Sequence, residues 1–423
     1  MRCLHLAAVA ALLLGVSAPG KGATVTALPL ANMLVIGCYQ APKGETLQAL
    51  REAGFNLVRL PADPRALDEA QAAGLRACVY VGGNMDLSDK ADERQAGLKA
   101  TVDAVKGHPA LLCYDGPDEP LYQIWGPGFF DLALPLDSPA RLETAARCRE
   151  QAARLAAGLT GGHDYVRTLD PAHPIWINHA PRHPEAMLAP LAGVADIHSF
   201  DFYPVPEGEG HSDLPNENLS AVGGYVDRLA RAMGGRPVWA VLQGFSWTEI
   251  GIRDVRRTVD YPSFAQSRFL AYDAIAHGAT GVLYWGTHTL RADNPCWISL
   301  KALAAELNAL APVLVAPAAG SPQVEVLSGW HSAALGARAL LKQVNGETYL
   351  VLVNEERYPL DVQISGLPAG QNLDLLYTPR TQAVAADGSF TTTLEPYGVH
   401  VYAPNRRLEA VRPGRDFGGP IVW

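Results

Sequence analysis

The most constraining feature of this chain is a regular alternation of short apolar segments and amphipathic segments between residues 33 and 311. Apolar runs of strand length recur eight times, separated by segments with the apolar spacing of helices. The runs are nearly continuous, as expected for strands that are buried on both faces of a parallel sheet. This pattern predicts a (β/α)8 barrel. A doubly wound open sheet is the alternative, but that fold usually has fewer strands and a Gly-rich first turn, which is absent here.

The apolar runs give the positions of the predicted strands, which are residues 33–39, 55–60, 75–81, 110–115, 174–179, 195–204, 236–245 and 279–286. A helical pattern at 299–310 closes the series, so the barrel domain is predicted to span residues 24–311. In such a barrel the reactive side chains lie at the carboxyl ends of the strands and in the loops that follow them. The candidate residues are therefore sought at those ends.

The pattern changes after residue 311. Helical spacing stops, and short strand-like runs follow, separated by Asn-Gly, Pro-Ala-Gly and Asp-Gly turns. This predicts a small all-β domain over 312–405, with a β-sandwich as its expected form. Residues 406–423 are rich in Pro and Gly and are predicted to form a surface tail.

Residues 1–22 have the features of an export signal peptide. Arg2 gives a positive start, an apolar run extends from Leu6 to Val16, and small residues follow. The run is too short to span a bilayer, so we expect cleavage rather than anchoring. The mature protein is therefore predicted to be secreted or periplasmic, without a membrane span.

Composition and motifs argue against several classes of protein. The 423 residues include 34 Lys and Arg against 43 Asp and Glu, for a net charge of −9, and no basic run is present. A nucleic-acid-binding protein is therefore not expected. No Cys-x-x-Cys or Cys/His spacing indicates zinc, and no Gly-rich loop indicates phosphate chemistry. We expect neither a metal nor a cofactor, and the oligomeric state does not follow from the sequence.

The fourth predicted strand ends in a cluster of carboxylates. The segment YDGPDEP (114–120) places Asp115, Asp118 and Glu119 within five residues. Crowded carboxylates repel one another, which raises the pKa of at least one of them and lets it hold a proton near neutral pH. A general acid needs this property, so Glu119 is predicted to be the acid. A solvated acidic loop is the alternative.

Polar and aromatic residues at other strand ends are predicted to line the same mouth. Arg59 is a charge inside the apolar second strand and needs a partner, commonly a carboxylate. Asp201 and Tyr203 alternate onto one face at the end of the sixth strand. Trp285 in the eighth strand is a candidate stacking platform for a sugar, with a core Trp as the alternative. The remaining members of this predicted rim are Asn84, His179 and Gln243.

The loops after strands four, six and seven are long and carry aromatic side chains, including Tyr122 and Trp247. Long aromatic loops over a barrel mouth favour a ligand groove. A carbohydrate is one candidate ligand, because the apolar face of a sugar packs well on an indole ring such as that of Trp285.

Three of these segments resemble the clan A glycoside hydrolases, the retaining (β/α)8 glycosidases. GFNLVRLP (54–61) is similar to the second strand of that clan, YDGPDEP to its fourth-strand end, and GATGVLYWG (278–286) to its eighth strand. The terminal segment LEPYGVHVY (394–402) is similar to part of the β-sandwich that many of these enzymes carry. The resemblance implies that Glu119 is the acid/base, that Asp118 stands where an Asn usually contacts the sugar, and that Trp285 forms the sugar floor.

One position departs from the clan's pattern. The clan's nucleophile is a Glu that ends the seventh strand, and the matching position here is Gln243. An amide cannot form the ordinary glycosyl-enzyme ester, so the retaining mechanism does not carry over whole. Three replacements remain open: inversion with Asp201 or another carboxylate as base, substrate assistance with Asp118 orienting a 2-acetamido group that Tyr203 and Gln243 hold, or Glu249 as nucleophile. A non-catalytic carbohydrate-binding barrel is the fourth possibility.

Overall fold

The computed structural model describes residues 30, 32–125, 139–207, 212–251, 259–328, 331–332 and 335–410. The predicted signal peptide at 1–22 and most of the predicted tail, from residue 411 onward, lie outside the described residues.

Eight parallel strands form a closed barrel in sequence order, and β8 pairs with β1. The strands are β1 (Val35–Cys38), β2 (Leu57–Leu60), β3 (Arg76–Tyr80), β4 (Leu111–Asp115), β5 (Ile175–His179), β6 (Ile197–Phe202), β7 (Val238–Gln243) and β8 (Gly281–Trp285). This closure confirms the predicted (β/α)8 barrel and excludes the open sheet.

Helices connect the strands, and local sequence explains where several of them begin. Thr46 caps the first helix, and Asp63 caps the second, which has Pro64 in its first turn and ends at Gly74 in the left-handed conformation. Ser263 and Gln266 form a capping box. The described helices are α1 (Leu47–Glu52), α2 (Pro64–Ala73), α3 (Ala91–Val105), α4 (Tyr122–Trp125), α5 (Pro139–Leu169), α6 (Glu185–Leu188), α7 (Ala221–Ala232), α8 (Phe264–Ala276) and α9 (Pro295–Leu314).

The α9 helix continues three residues past the predicted domain boundary at residue 311. By length and composition alone it is the one helix among the described residues that is apolar enough to cross a membrane, and 67% of its apolar window is buried inside the protein.

The strand alternation divides the barrel side chains into two sets. Residues such as Val35, Leu57, Trp176, Trp239 and Leu283 fill the interior of the barrel. Their sequence neighbours face outward and pack against the helices. The inward-facing positions continue to the carboxyl ends of the strands. The side chains at these positions are therefore the ones that can reach the mouth of the barrel.

Two antiparallel sheets follow the barrel and enclose a separate apolar core. One sheet has the order β10-β11-β16-β13-β14 and the other β15-β12-β9. The strands are β9 (Gln323–Val326), β10 (Ala337–Val344), β11 (Glu347–Asn354), β12 (Leu360–Ser365), β13 (Asn372–Leu375), β14 (Thr381–Ala383), β15 (Phe390–Leu394) and β16 (Val399–Ala403). The predicted C-terminal all-β region is thereby confirmed.

An ionic network joins the barrel helices to the first of these sheets. His277, just after α8, lies 3.0 Å from Asp227 of α7 and 2.9 Å from Glu355, which follows β11. Asp273 lies 3.8 Å from the same imidazole, and Arg338 of β10 lies 3.1 Å from Glu355. Burial alone would lower the pKa of His277, but its hydrogen bonds to Asp227 and Glu355 and the charge of Asp273 raise it to about 9.

This network predicts that the protein loses stability in mildly alkaline solution. The folded pKa of His277 lies above its ordinary value of 6.5, so its contribution is complete below pH 6.5 and is lost as pH rises to about 9. We expect the unfolding free energy to fall by about 1–3 kcal/mol across that window. His277→Gln should remove most of this slope in urea unfolding measured from pH 6 to 10. An unchanged slope would show that other groups carry it.

Candidate active site

The carboxyl ends of the barrel strands surround a cavity of about 330 Å³. Its walls combine a carboxylate cluster, several aromatic rings and one arginine. The lining residues are Tyr39, Asp118, Glu119, Tyr122, Asn178, Ala180, Pro181, Arg182, Asp201, Phe202, Tyr203, Trp247, Ile250 and Trp285. Five of the predicted site residues are therefore brought together: Asp118, Glu119, Asp201, Tyr203 and Trp285.

Glu119 is held in an unusual backbone conformation at the edge of this cavity. Its φ angle is +42°, a region that non-glycine residues enter at some energetic cost. Its N–H donates to the carbonyl of Asn178 at 3.0 Å, and its own carbonyl accepts from Tyr122 at 2.9 Å. Burial raises the pKa of the Glu119 carboxyl, Asp118 raises it further, and the hydrogen bond from Asp201 and the charge of Arg182 oppose the rise.

The carboxyl groups of Asp201 and Glu119 interact, and each affects the pKa of the other. Burial, together with the charges of Glu119 and Asp118, holds the pKa of Asp201 well above its usual range. Two carboxyl groups that interact in this way titrate as one unit. An inverting pair needs roughly 6.5–9.5 Å between its carboxyl groups to admit a water molecule. The interaction between Glu119 and Asp201 argues against the inverting arrangement of this pair.

A chain of hydrogen bonds across two strands fixes Asp118. The indole N–H of Trp176 donates to Ser199 Oγ at 2.8 Å, and this hydroxyl donates to Asn178 Oδ1 at 2.7 Å. Asn178 Nδ2 then donates to Asp118 Oδ1 at 3.0 Å. Since Trp176 and Ser199 are fully buried, the chain anchors a cavity carboxylate to the rigid barrel interior.

Arg59 forms the predicted ion pair, but it lies behind the cavity rather than in its lining. Its Nε donates to the buried carboxylate of Asp115, and its guanidinium packs over the rings of Tyr39 and Tyr80. Burial raises the pKa of Asp115 to about 7 even though Arg59 opposes the rise. Arg59 thus supports the end of β4, where Asp118 and Glu119 follow.

Aromatic rings form one wall of the cavity. Tyr203 and Trp285 are stacked, with ring centroids 5.5 Å apart and an interplanar angle of 21°. Phe245 packs edge-on against both of them at 5.1 Å, and Trp247 packs against Tyr203 at 6.1 Å. An indole wall beside carboxylates is the combination that a sugar ring needs, since its apolar face packs on the ring and its hydroxyls reach the acids.

Gln243 was expected to line the mouth, and the structure contradicts this. Its side chain is buried and fully occupied by backbone groups. Oε1 accepts from the Val205 N–H at 2.9 Å, while Nε2 donates to the carbonyls of Val205 at 2.8 Å and Phe245 at 3.0 Å. The amide therefore clamps the loop after β6 to the end of β7, and it is not available to hold an acetamido group.

Replacement of this amide by the residue usual in the clan should therefore harm the protein. A Glu at position 243 would set carboxyl oxygens against the two backbone carbonyls that Nε2 now satisfies. We expect Gln243→Glu to lower the unfolding free energy by roughly 2–4 kcal/mol and to confer no new turnover. Urea unfolding and a glycosidase assay would check both points. A stable, more active variant would show that position 243 can serve as a nucleophile.

Two further predicted rim residues lie outside the cavity lining. His179 faces outward and is buried, with its Nε2 2.9 Å from Nδ1 of His198, and burial holds the pKa of His179 well below its usual value. Asn84 packs its amide against Gly97 of α3.

The residue that β5 does contribute to the cavity lining is Asn178, which faces inward like Trp176, two positions earlier in the strand. Side chains alternate between the inside and the outside of the barrel along β5, and this alternation distinguishes the inward Asn178 from the outward His179.

Glu249, the proposed replacement nucleophile, is exposed and is not part of the cavity lining. Its carboxylate accepts a hydrogen bond from the hydroxyl of Tyr261.

Tyr122 and Trp247, from the predicted aromatic loops, do line the cavity. Tyr39 and Arg182 were not predicted, because one lies just past a short first strand and the other lies in a loop without periodicity.

Among the described residues, one group has the composition and spacing of a metal site: Asp273, His277 and Glu355. This group is part of the ionic network between the barrel and the first β-sheet of the C-terminal region. Both nitrogens of His277 already face carboxylates, and we interpret the group as an ion-pair network.

No protein-family model and no curated protein matches this chain in sequence. Solved structures match it in fold. A catalytic mutant of a GH42 β-galactosidase from G. stearothermophilus aligns with a TM-score of 0.58 and 11% identity, over 88% of this chain and 98% of that chain. The β-galactosidase from Bacillus circulans sp. alkalophilus gives 0.56 and 9%, over 88% and 99%.

A third match is a glycoside hydrolase of family 5 from Bacteroides vulgatus, with a TM-score of 0.56 and 13% identity over 88% of this chain and 89% of that chain. The alignment with the β-galactosidase from Marinomonas ef1 covers only 60% of that chain. The chain thus has the fold of the GH42 and GH5 enzymes of clan A, a (β/α)8 barrel followed by an all-β region. This confirms the predicted resemblance at the level of the fold.

Proposed function

We propose that the protein is a glycoside hydrolase that uses Glu119 as its general acid. The observation that carries this proposal is the pair of interacting carboxyl groups of Glu119 and Asp201, which line an aromatic-walled cavity at the mouth of the barrel. Burial raises the pKa of Glu119, and this favours the protonated form that a general acid needs. The fold shared with clan A glycoside hydrolases supports the same reaction class.

The nucleophile is proposed to come from the substrate. Within the described part of the chain, the carboxylates that line the cavity are Asp118, Glu119 and Asp201, and none comes from β7. In a sugar with a 2-acetamido group, the acetamido oxygen can attack the anomeric carbon and form a cyclic oxazolinium ion. The glycosidic bond breaks as Glu119 gives its proton to the leaving oxygen.

Hydrolysis of the cyclic ion completes this proposed cycle. Glu119, now a carboxylate, removes a proton from water, and the resulting hydroxide adds to the anomeric carbon as the ring opens. Asp118, fixed by Asn178, would orient the acetamido N–H. Tyr203 lies at the same wall and would contact the acetamide, whereas Gln243 is excluded from this role by its backbone contacts.

Paired aryl glycosides that differ only in an acetamido group or a hydroxyl at C2 test this function. We expect release of the aryl group from the acetamido member of a pair and little from its hydroxyl counterpart. Equal release from both would retain the hydrolase and overturn substrate assistance. Sugar binding without release from any member would favour a carbohydrate-binding barrel, the candidate that the clamped Gln243 supports.

Export is part of the proposed setting of this activity. Residues 1–22 have the charge and apolar pattern of a cleaved signal peptide, which would deliver the enzyme to the periplasm or the medium. Mass determination of the mature amino terminus after expression of the full chain would test this. A retained Met1 with all activity inside the cell would contradict it.

A further inference from the structure

Arg182 is a cation in the wall of the cavity, and it has no hydrogen-bond or ion-pair partner among the residues that the structure describes. Its side chain is half-buried and lines the cavity beside Glu119. Within the ranges that the structure describes, its guanidinium makes no hydrogen bond or ion pair, whereas nearby Arg59 and Arg228 both pair with carboxylates. An unpaired guanidinium offers five N–H donors in a planar fork.

The loop that carries Arg182 is held firmly in place. Arg228 Nη1 donates to the carbonyls of Pro181 at 3.2 Å and His183 at 3.4 Å, which flank Arg182. The same nitrogen lies 2.9 Å from both carboxylate oxygens of Asp213. His183 is buried, and its Nδ1 lies 3.2 Å from the carbonyl of Ala180. Pre-organisation of a loop reduces the entropy lost when it binds a ligand.

The position of Arg182 works against the acid when the cavity holds no anion. Its positive charge lowers the pKa of Glu119, whereas a general acid benefits from a raised value. A ligand anion bound to Arg182 would offset this charge and help Glu119 retain its proton. The other charged lining residues are the acids Asp118, Glu119 and Asp201, so an anion in the cavity is attracted only toward Arg182.

We propose that Arg182 binds an anionic group, a carboxylate or a sulfate ester, on the sugar that occupies the cavity. This inference rests on the proposed function in taking the cavity as a sugar site. It names the substrate class as acidic glycans, because a planar guanidinium binds carboxylate and sulfate oxygens through two parallel N–H···O bonds. Arg182 would therefore determine specificity rather than perform a step of the reaction.

Binding measurements on the full chain test this proposal without requiring turnover. The probes are methyl N-acetyl-β-glucosaminide, its uronic acid analogue with a carboxylate at C6, and its 6-sulfate, titrated calorimetrically into the wild type, Arg182→Gln and Arg182→Lys. Arg147→Gln is a matched control, since Arg147 is exposed on α5 and pairs only with its helix neighbours. We expect Arg182→Gln to weaken the preferred acidic probe by roughly 10–100-fold and the neutral probe by less than about twofold.

The outcomes separate this inference from the proposed function. Arg182→Lys should lie between wild type and Arg182→Gln, because it keeps the charge and loses the fork. Stronger binding of the uronic acid analogue points to a uronic acid, and stronger binding of the 6-sulfate points to a sulfated sugar. Arg182-dependent acidic binding by a protein that cleaves no glycoside would preserve this inference and overturn the hydrolase. Equal binding of acidic and neutral probes, or no binding of either acidic probe, would overturn this inference even if the protein cleaves glycosides.

Discussion

Glu119→Gln is expected to lower kcat by roughly 10²–10⁴-fold while leaving sugar affinity and folding close to those of the wild type. Glutamine keeps the size and the hydrogen-bonding reach of the side chain, but it has no proton to give to a leaving oxygen. The carboxyl is half-buried and pairs with Asp201 rather than with a structural cation, so its loss should not destabilise the barrel. Steady-state kinetics, calorimetric sugar binding and thermal unfolding would be measured together.

Glu249→Gln is the matched control for this variant. Glu249 is exposed, contacts Tyr261 and lies outside the cavity lining, so its amide should leave kcat within about twofold of wild type. A large loss in Glu249→Gln together with full activity in Glu119→Gln would reverse the assignment of the acid.

Asp201→Asn is expected to move the alkaline limb of the pH–activity profile to lower pH by about one unit or more. In the proposed mechanism, activity requires a proton on the Glu119–Asp201 pair and is lost as pH rises through the pKa of that pair. Replacing the carboxyl of Asp201 by an amide leaves Glu119 as the one member of the pair that can hold the proton. The amide N–H can also donate to the Glu119 carboxylate, which favours the charged form and lowers the pKa of Glu119. At pH 7 we expect kcat/KM to fall about 10–100-fold, with partial recovery near pH 5.

Asp196→Asn serves as the control for this pH effect. Asp196 immediately precedes β6 and accepts from the Ile175 N–H at 2.9 Å, and it does not line the cavity. Its pH profile should match that of the wild type. If Asp201→Asn lowers activity equally at every pH, Asp201 serves only to shape the cavity and the shared proton plays no part.

The sequence predicts the barrel well because its strands are continuous apolar runs whose order and number leave few alternatives. Glu119 was identifiable because three carboxylates at one strand end are rare in an apolar setting. The incorrect predictions concern the direction and the contacts of individual side chains rather than the fold. His179 and Asn178 are adjacent in β5, and only the parity shared with Trp176 distinguishes the outward ring from the inward amide.

Gln243 and Arg182 depended on information that the sequence does not contain. Gln243 has the inward parity and the expected location, yet the backbone of Val205 and Phe245 occupies its amide. Arg182 lies in a loop, where no periodicity indicates direction, and its orientation depends on Arg228, 46 positions along the chain.

The buried hydrogen-bond chain that ends at Asp118 can run in only one direction. An indole nitrogen can donate a hydrogen bond but cannot accept one, so the Ser199 hydroxyl is the acceptor for Trp176. The hydrogen of that hydroxyl is donated to Asn178 Oδ1. That contact in turn fixes which end of the Asn178 amide faces Asp118, and Oδ1 of Asp118 is always presented with an N–H. That oxygen is therefore occupied by a protein donor, and Oδ2 is the one left to meet a ligand. Trp176, at the far end of the chain, thereby makes two neighbouring acids unlike: one oxygen of Asp118 is held by a donor anchored in the barrel interior, whereas the carboxyl of Glu119 interacts with that of Asp201.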